Sequence, residues 1–255
     1  MSRFKDHFSA AASDYARFRP GYPPQLFEWL TSLCPQRQLA LDVATGNGQA
    51  AVALAQYFEQ VIASDASAAQ LAQAMPAANI DYRCEPAERS SLPDASVDLL
   101  VVAQALHWFD LPAFYAEAQR LLKPNGVIAV WCYGQLQGDA AVNAILSRYY
   151  HDVVGPFWPP ERAWLEQGYA SLDWPFAPLA EQHEFALSVE WDLPQLLGYL
   201  GTWSATRQYQ QQHGHDPRSL IDADLRQAWG DADKRTIRWP LSLRVGRKVT
   251  DEPSS

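Results

Sequence analysis

Two apolar runs with a helical stretch between them organise the first half of the chain. Leu39–Val43 is apolar apart from Asp42, which predicts a short buried strand. Residues 49–58 carry apolar side chains at helical spacing, and a second apolar run over 61–63 leads to Asp65. Strand, glycine-containing turn, helix and strand in this order predict half of a nucleotide-binding α/β fold.

The alternation of strand and helix continues through the next part of the chain. Apolar runs predict strands at Ile80–Cys84, Val97–Ala103 and 127–133, and helical spacing predicts helices over 68–75 and 112–122. A strand–helix unit that repeats in this way predicts a doubly wound α/β fold.

The flanking segments are also predicted to be ordered. Aromatic residues at helical or near-helical spacing predict an N-terminal helical cap over residues 1–38. After residue 183 the pattern predicts a strand over 184–190, helices over 193–206 and 222–229, and a strand over 237–245. The expected organisation is a cap (1–38), a ligand-binding core (39–134), an insertion (135–183), a C-terminal completion of the sheet (184–250) and a polar tail (251–255).

The insertion differs in composition from a linker. Trp158, Trp164 and Trp174 are interleaved with prolines, whereas flexible linkers lack large aromatic side chains. A structured segment that roofs the site, with Arg162 facing an anionic acceptor, is one interpretation. A satellite core formed by the tryptophans is the other.

Composition restricts the partners. The 255 residues include 29 Asp and Glu against 20 Lys and Arg, a formal charge of -9, which disfavours a polynucleotide as substrate. The three cysteines are widely spaced, and the His213–His215 pair lacks a third ligand, so we expect neither a disulfide framework nor a metal. No apolar stretch of about 18 residues occurs, so we expect a cytoplasmic protein without a membrane anchor. We expect it to be a monomer or a homodimer.

The glycine turn suits two ligands. Gly46 and Gly48 let the backbone approach a ligand, and an acid at the position of Asp65 can accept both hydroxyls of a ribose. A dinucleotide fits the Gly46-x-Gly48-x-x-Ala51 spacing and predicts an NAD(P)-dependent oxidoreductase. S-adenosylmethionine carries an ammonium and a sulfonium instead of a phosphate. Asp42 supplies a negative group for it and favours this methyl donor.

Residues 42–48, DVATGNG, resemble the acid-x-Gly-x-Gly-x-Gly loop of class I S-adenosylmethionine-dependent methyltransferases. Ala44 departs from the pattern, since it stands where the family has its first glycine. The resemblance implies a Rossmann-like sheet of seven strands, mostly parallel with the last strand antiparallel. The aromatic-rich insertion described above follows the fifth strand of this sheet. The resemblance also implies S-adenosylmethionine as cofactor, bound by Asp42, Ala44, Gly46, Asn47, Gly48, Asp65 and Ala66.

Three further segments resemble a group that includes trans-aconitate-type small-molecule methyltransferases. They are the Tyr-x-x-x-Arg-Pro-x-Tyr-Pro segment that begins at Tyr15, the Ala87-Glu88 pair, and residues 104–108, which follow the fourth strand. The resemblance implies additional cofactor contacts from Tyr15, Arg19, Ala87, Glu88, Gln104, Ala105 and Trp108.

These observations predict methyl transfer to a small molecule, with a carboxylate as one candidate acceptor. His107 is the candidate catalytic residue because it follows a strand at the carboxyl edge of the sheet, and an unperturbed histidine pKa of ~6.5 suits a base. Tyr22, Trp158, Arg162 and Trp164 are the candidate substrate contacts. An oxidoreductase and a nucleoside-binding protein without catalytic activity remain as alternatives.

Overall fold

The strands form one mixed sheet. A computed structural model describes residues 20–179 and 183–249, and within them the sheet has eight strands. They are β1 (Leu39–Val43), β2 (Gln60–Asp65), β3 (Ile80–Cys84), β4 (Val97–Ala103), β5 (Leu122–Tyr133), β6 (Ala177–Pro178), β7 (Ala186–Trp191) and β8 (Arg235–Arg247). The order is β3-β2-β1-β4-β5-β8-β6, and β7 pairs with β8.

The helices follow the expected alternation and then become more frequent. They are α1 (Pro24–Ser32), α2 (Gln49–Leu54), α3 (Ala68–Leu71), α4 (Leu111–Leu121), α5 (Ala140–Arg148), α6 (Arg162–Glu166), α7 (Leu193–Gly201), α8 (Ser204–His213) and α9 (Asp222–Trp229). Short 3-10 turns lie at Leu106–Trp108, Gly155–Phe157 and Pro217–Leu220, and a π-helical turn lies at Tyr149–Val153. No helix in the described part of the chain is long and apolar enough to cross a membrane.

The parallel part of the sheet creates a ligand-binding edge. Strands β1 to β5 pair in parallel, and the strand order reverses between β1 and β4. A reversal of this kind opens a crevice beyond the carboxyl ends of the strands. Alternate residues of β1 and β4 enter two separate apolar clusters, one on each face of the sheet. Both faces are therefore covered, as the sequence predicted for a doubly wound fold.

A buried acid holds the opposite end of these strands. Asp98 is 3% exposed, and its Oδ2 accepts hydrogen bonds of 2.9 Å from the backbone N–H groups of Gln38 and Leu39. Its Oδ1 lies 2.8 Å from Nζ of Lys123. Because its charge and lone pairs are satisfied by these donors, Asp98 ties β4 to the start of β1.

The antiparallel edge is larger than the sequence indicated. The strand predicted over 237–245 extends to Arg235–Arg247; residues 241–247 pair with β5, and residues 235–240 pair with β7. Pro240 stands where β8 changes partner, so the missing N–H of proline falls at a point of transition in the ladder. With the short β6, this edge gives eight strands instead of the seven expected.

Three predicted helices were too long. The helix expected over 49–58 ends at Leu54, and the Nδ2 of Asn79 donates to the backbone oxygens of Ala55 and Phe58 that follow. The helix expected over 68–75 ends at Leu71, shortly before Pro76, whose ring disfavours the helical conformation of the preceding residue.

The third, expected over 193–206, is divided into α7 and α8 at Thr202 and Trp203. Trp203 is extended there, with φ -68° and ψ 136°, and is 7% exposed. The extended backbone at Trp203 buries its ring and interrupts the helix.

The insertion packs against both faces of the sheet. Tyr149 Oη lies 2.9 Å from Oγ1 of Thr206 in α8, and Trp158 belongs to the same apolar cluster. Trp164 and Trp174 pack on the cluster of the other face. Among the cysteines, Cys34 and Cys132 are buried, whereas Cys84 is exposed on the edge strand β3.

Candidate active site

The glycine turn lies between β1 and α2 and has three left-handed residues. Ala44, Gly46 and Gly48 have φ values of 56°, 59° and 86°. A Cβ added to Gly48 would lie 2.4 Å from Oη of Tyr82, so this position also requires glycine for space. Ala44 keeps the left-handed conformation that glycine adopts freely, at a steric cost of ~1–2 kcal/mol.

Asp65 fastens this turn to the end of β2. Its Oδ2 accepts a 2.9 Å hydrogen bond from the backbone N–H of Gly46, and its Oδ1 accepts a 2.8 Å bond from that of Ser67. The carboxylate is therefore held in one orientation at the crevice. The sequence predicted Asp65 as a ligand contact and did not indicate that it also organises the loop.

Asp42 is a buried acid with an unsatisfied oxygen. Its side chain is 0% exposed; Oδ2 accepts a 2.5 Å hydrogen bond from Oγ1 of Thr45. Oδ1 has no hydrogen-bond partner within the described residues. Burial raises the pKa of Asp42 to about 7, against the lowering effects of the Thr45 hydroxyl and of the backbone N–H of Ala51 at the start of α2. A buried acceptor of this kind beside a glycine turn fits a ligand that brings a positive charge, as the ammonium of S-adenosylmethionine does.

The end of β4 is clamped to the end of β5 by Gln104. This residue has φ 59°; its Nε2 donates to the backbone oxygen of Tyr133 at 3.0 Å, and its Oε1 accepts from the N–H of Tyr133 at 2.8 Å. The side-chain amide of Gln104, which the sequence predicted as a cofactor contact, is therefore hydrogen-bonded to the neighbouring strand β5. Ala105, which follows it, is buried.

Glu88 connects the loop after β3 to the loop after β4. Its Oε1 accepts a 3.0 Å hydrogen bond from the backbone N–H of Asp110. Ala87 and Glu88 are half-buried, whereas Ala66 is exposed at the end of β2. Asn47 lies in the glycine turn, and its carbonyl accepts from the N–H of Met75 at 3.3 Å. The structure therefore brings these predicted cofactor residues to the same edge of the sheet.

His107 is buried beneath the insertion. Its Nδ1 lies 2.8 Å from Oη of Tyr169, and its ring packs beside that of Trp108, with centroids 4.6 Å apart. Burial and, secondarily, the positive charge of Arg162 lower the pKa of His107 to about 3. The imidazole is therefore uncharged at neutral pH and is a much weaker base than the sequence suggested.

Arg162 lies in α6, and its positive charge contributes to the lowered pKa of His107. Its Nε donates a 2.7 Å hydrogen bond to Oη of Tyr150, and its Cζ lies 4.6 Å from the centroid of the Trp158 ring. Within the described residues, no hydrogen bond or ion pair occupies its terminal nitrogens. Oη of Tyr150 in turn donates to Glu166 at 2.6 Å. The guanidinium is thus positioned by aromatic rings, and the charge is not neutralised by direct contact.

The other predicted substrate residues lie in different parts of the structure. Tyr22 packs edge-to-face on Trp131 with ring centroids 5.4 Å apart, at the carboxyl end of β5. Trp158 lies with Tyr150 and Arg162, whereas the half-buried Trp164 packs against the apolar cluster of the opposite face. Trp164 therefore does not pack beside Trp158, and its role as a substrate contact stays a prediction. Tyr15 and Arg19 lie outside the described residues.

Tyr169 is the residue that the sequence analysis missed. It lies in the insertion, is fully buried, and reaches His107 across 62 positions of sequence. The only local signal was the preceding Gly168, which marks a turn.

In the described part of the chain, no group of three or more potential ligands could hold a metal ion, and the His213–His215 pair belongs to the end of α8 and its following loop.

Comparisons with known proteins agree with this geometry. A family model described as a methyltransferase domain matches residues 41–130. A Dictyostelium discoideum protein named as a methyltransferase is 33% identical over 257 residues, and the match covers 97% of both chains. A structure from Anaeromyxobacter dehalogenans, named as a type II methyltransferase, is 42% identical with a TM-score of 0.86, and covers 91% of this chain and 99% of its own.

A Saccharomyces cerevisiae protein named as an S-adenosylmethionine-dependent methyltransferase is 30% identical over 133 residues, which are 49% of this chain and 46% of its own length. The similarity to the Dictyostelium discoideum protein extends along almost the whole chain, beyond the segment that the family model matches. Of the two ligands that suit the glycine turn, the comparisons therefore favour the methyl donor. This chain belongs to the class I S-adenosylmethionine-dependent methyltransferases.

Proposed function

We propose that this enzyme transfers a methyl group from S-adenosylmethionine to a small anionic acceptor, a carboxylate. Asp42 binds the ammonium of the donor, Asp65 accepts hydrogen bonds from its ribose, and the turn from Ala44 to Gly48 passes beneath it. Ala87 and Glu88 lie against the adenine. The unsatisfied buried oxygen of Asp42 supports this placement, because a ligand cation would give it a partner.

The position of Arg162 carries the assignment of an anionic acceptor. Its guanidinium stacks on Trp158, acts electrostatically on His107, and has terminal nitrogens that no described residue occupies. A guanidinium that is held in this way is preorganised to bind a carboxylate through two parallel N–H bonds. Trp158 supports the cation by stacking beneath it.

The state of His107 agrees with a carboxylate acceptor. S-adenosylmethionine supplies an electrophilic methyl group on a sulfonium. A carboxylate is already nucleophilic at neutral pH and requires no proton removal, whereas an ammonium does, and an alcohol generally requires a base. Because the pKa of His107 is about 3, this side chain is not suited to the role of base. The residues of this site would contribute by alignment and exclusion of water, and alignment supplies ~7–11 kcal/mol in favourable cases.

The segment 135–183 serves as the substrate lid in this proposal, and residues 1–38 serve as the N-terminal cap, with Tyr22 at the acceptor side. Residues 39–134 bind the donor, and residues 184–250 complete the sheet. Contacts of the insertion with the site support the lid: Cys132 Sγ lies 3.9 Å from the backbone oxygen of Leu165, and Tyr169 contacts His107.

An acceptor panel with labelled S-adenosylmethionine tests this proposal. Mono- and dicarboxylates, alcohols and amines of matched size are offered, and an ester product is recognised by release of methanol in alkali. We expect turnover with carboxylates. Arg162→Met should raise the acceptor KM about tenfold to a hundredfold, because a hydrogen bond to a charged group contributes ~1.5–3 kcal/mol. Donor affinity by calorimetry should remain within a few-fold.

Two matched variants sharpen the result. Arg162→Lys keeps the charge but loses the planar donors and should show an intermediate KM. Arg226→Met removes an exposed arginine of α9 that pairs with Asp222, and should change neither quantity. Preferred methylation of amines or uncharged alcohols, or an unchanged KM in Arg162→Met, would overturn the carboxylate assignment.

A further inference from the structure

Tyr169 is placed under His107 by two consecutive left-handed residues. Gly168 and Tyr169 have φ values of 58° and 62°, and the N–H of Tyr169 donates to the carbonyl of Trp164 at 2.9 Å. The left-handed region is unfavourable for a bulky residue and is retained where the surroundings enforce it. A Cβ on Gly168 would lie 2.6 Å from Oγ of Ser242, so β8 also restricts this turn. The turn directs a fully buried ring towards the site.

The surroundings of Tyr169 indicate which atom, Oη of Tyr169 or Nδ1 of His107, carries the proton of their hydrogen bond. Among the side chains of the described residues, only that of His107 forms a hydrogen bond with the Tyr169 hydroxyl, through Nδ1. If Nδ1 carried the proton and donated it to Oη, the phenolic proton would be buried without an acceptor, which is unfavourable. If Oη donates to Nδ1, both groups are satisfied.

The backbone supports the second arrangement. Burial holds the pKa of Tyr169 well above its usual value, so the phenol keeps its proton; the backbone N–H groups of His107 and Leu106 approach closely enough to oppose this rise in part. These N–H groups can only donate, and the oxygen of Tyr169 can accept from them while it donates its own proton.

We propose that Tyr169 is a positioning residue that holds His107 in the tautomer with the proton on Nε2, so that His107 donates a hydrogen bond to the acceptor carboxylate instead of removing a proton. This inference rests on the proposed function for the identity of the acceptor only; the tautomer does not depend on it. With Nδ1 occupied as an acceptor, the remaining ring nitrogen is a donor.

The two side chains then have the same role towards the acceptor. Arg162 contributes N–H donors and a positive charge, and His107 contributes one N–H donor without charge. Together they stabilise one negative charge and leave a lone pair on one carboxylate oxygen free to attack the methyl carbon. The bond from sulfur to methyl breaks as the bond from oxygen to methyl forms; the electron pair returns to sulfur, and no proton is transferred.

The tautomer is measured directly by NMR of the protein labelled with ¹⁵N at histidine. Histidine carries distinct ¹⁵N signals for protonated and unprotonated ring nitrogens, and His107→Gln identifies the signals of this residue. We expect His107 to show protonated Nε2 and unprotonated Nδ1 from pH 6 to 9. Tyr169→Phe should shift the population towards the Nδ1–H form. Tyr115→Phe is the matched control, since Tyr115 is also buried and its hydroxyl has no hydrogen-bond partner in the described residues.

Kinetics test the consequence for catalysis. His107→Gln retains an N–H donor but cannot act as a base, so kcat should fall less than tenfold, whereas His107→Ala should lose at least tenfold more. Tyr169→Phe should lower kcat and leave donor affinity within a few-fold. For the wild type saturated with donor, kcat/KM for the acceptor should not lose activity through an ionisation between pH 6 and 8. Thermal melts of each variant establish that it is folded.

The outcomes separate this inference from the proposed function. Detection of Nδ1–H in the wild type, or equal loss of kcat in His107→Gln and His107→Ala, would overturn the inference. Nε2–H in the wild type with its loss in Tyr169→Phe supports the positioning role, even if the acceptor panel shows that the preferred acceptor is not a carboxylate. In that case only the proposed function would fail.

Discussion

Substitution of Asp42 by asparagine should stabilise the free enzyme and weaken its binding of the cofactor. Asp42 is completely buried beside the glycine turn, and burial raises its pKa from 3.8 to about 7. A shift of this size corresponds to about 4 kcal/mol of preference for the protonated form, as an upper limit. The Asp42→Asn variant would keep the shape of the side chain and an acceptor for the Thr45 hydroxyl without the charge.

The sign of the pH dependence follows from proton binding. Between pH 3.8 and about 7, the carboxyl of Asp42 is ionised in the unfolded chain and protonated in the folded protein. The folded state therefore binds more protons, so the contribution of Asp42 to stability decreases as pH rises through this interval and is constant above it. Asp42→Asn should exceed the wild type in free energy of unfolding by up to about 4 kcal/mol at pH 8, and by much less at pH 4.5.

Urea unfolding of both proteins at pH 4.5 and pH 8, without ligand, measures this difference. Calorimetry with S-adenosylmethionine and its demethylated product should show affinity reduced about tenfold to a hundredfold in Asp42→Asn, because both ligands keep the ammonium. Asp98→Asn is the matched control: this buried acid has its donors in place, so its substitution should destabilise the protein at pH 8. An Asp42→Asn variant that is less stable than the wild type at pH 8, or a difference that is independent of pH, would refute the reasoning.

Three further predictions concern the turn and the insertion. Ala44→Gly should raise the free energy of unfolding by about 1 kcal/mol in urea titration, since glycine adopts φ 56° without strain; a loss of stability would contradict this. Gly48→Ala should weaken donor binding in calorimetry, because the added Cβ would lie 2.4 Å from Oη of Tyr82; unchanged affinity would show that the turn can adjust. Trp158→Ala should raise the acceptor KM as well as lower the melting temperature, whereas Trp164→Ala should lower only the melting temperature. Equal effects on KM would mean that the two rings do not have separate roles.

Much of the ligand-binding half could be predicted from the sequence. Strands β1, β3 and β4 were predicted with the observed bounds, and the glycine turn between Asp42 and Asp65 indicated the class of ligand. These features are local: an apolar run, the spacing of two glycines and an acid at the end of a strand are all visible within about thirty residues. The backbone requirement at Gly48 is of the same kind, since it arises within one turn and its neighbouring strand.

Other features depended on contacts between distant parts of the chain. Gln104 was expected to face the cofactor, but its amide is engaged by the backbone of Tyr133, a partner that only the pairing of β4 with β5 brings near. The pKa of His107 and the bond to Tyr169 depend on how the insertion covers the sheet edge, and the separation of Trp158 from Trp164 depends on which face each ring enters. Residue type and spacing specify which chemistry is available along the chain. Burial and long-range packing decide which atoms are paired, and therefore which charges and protons the site retains.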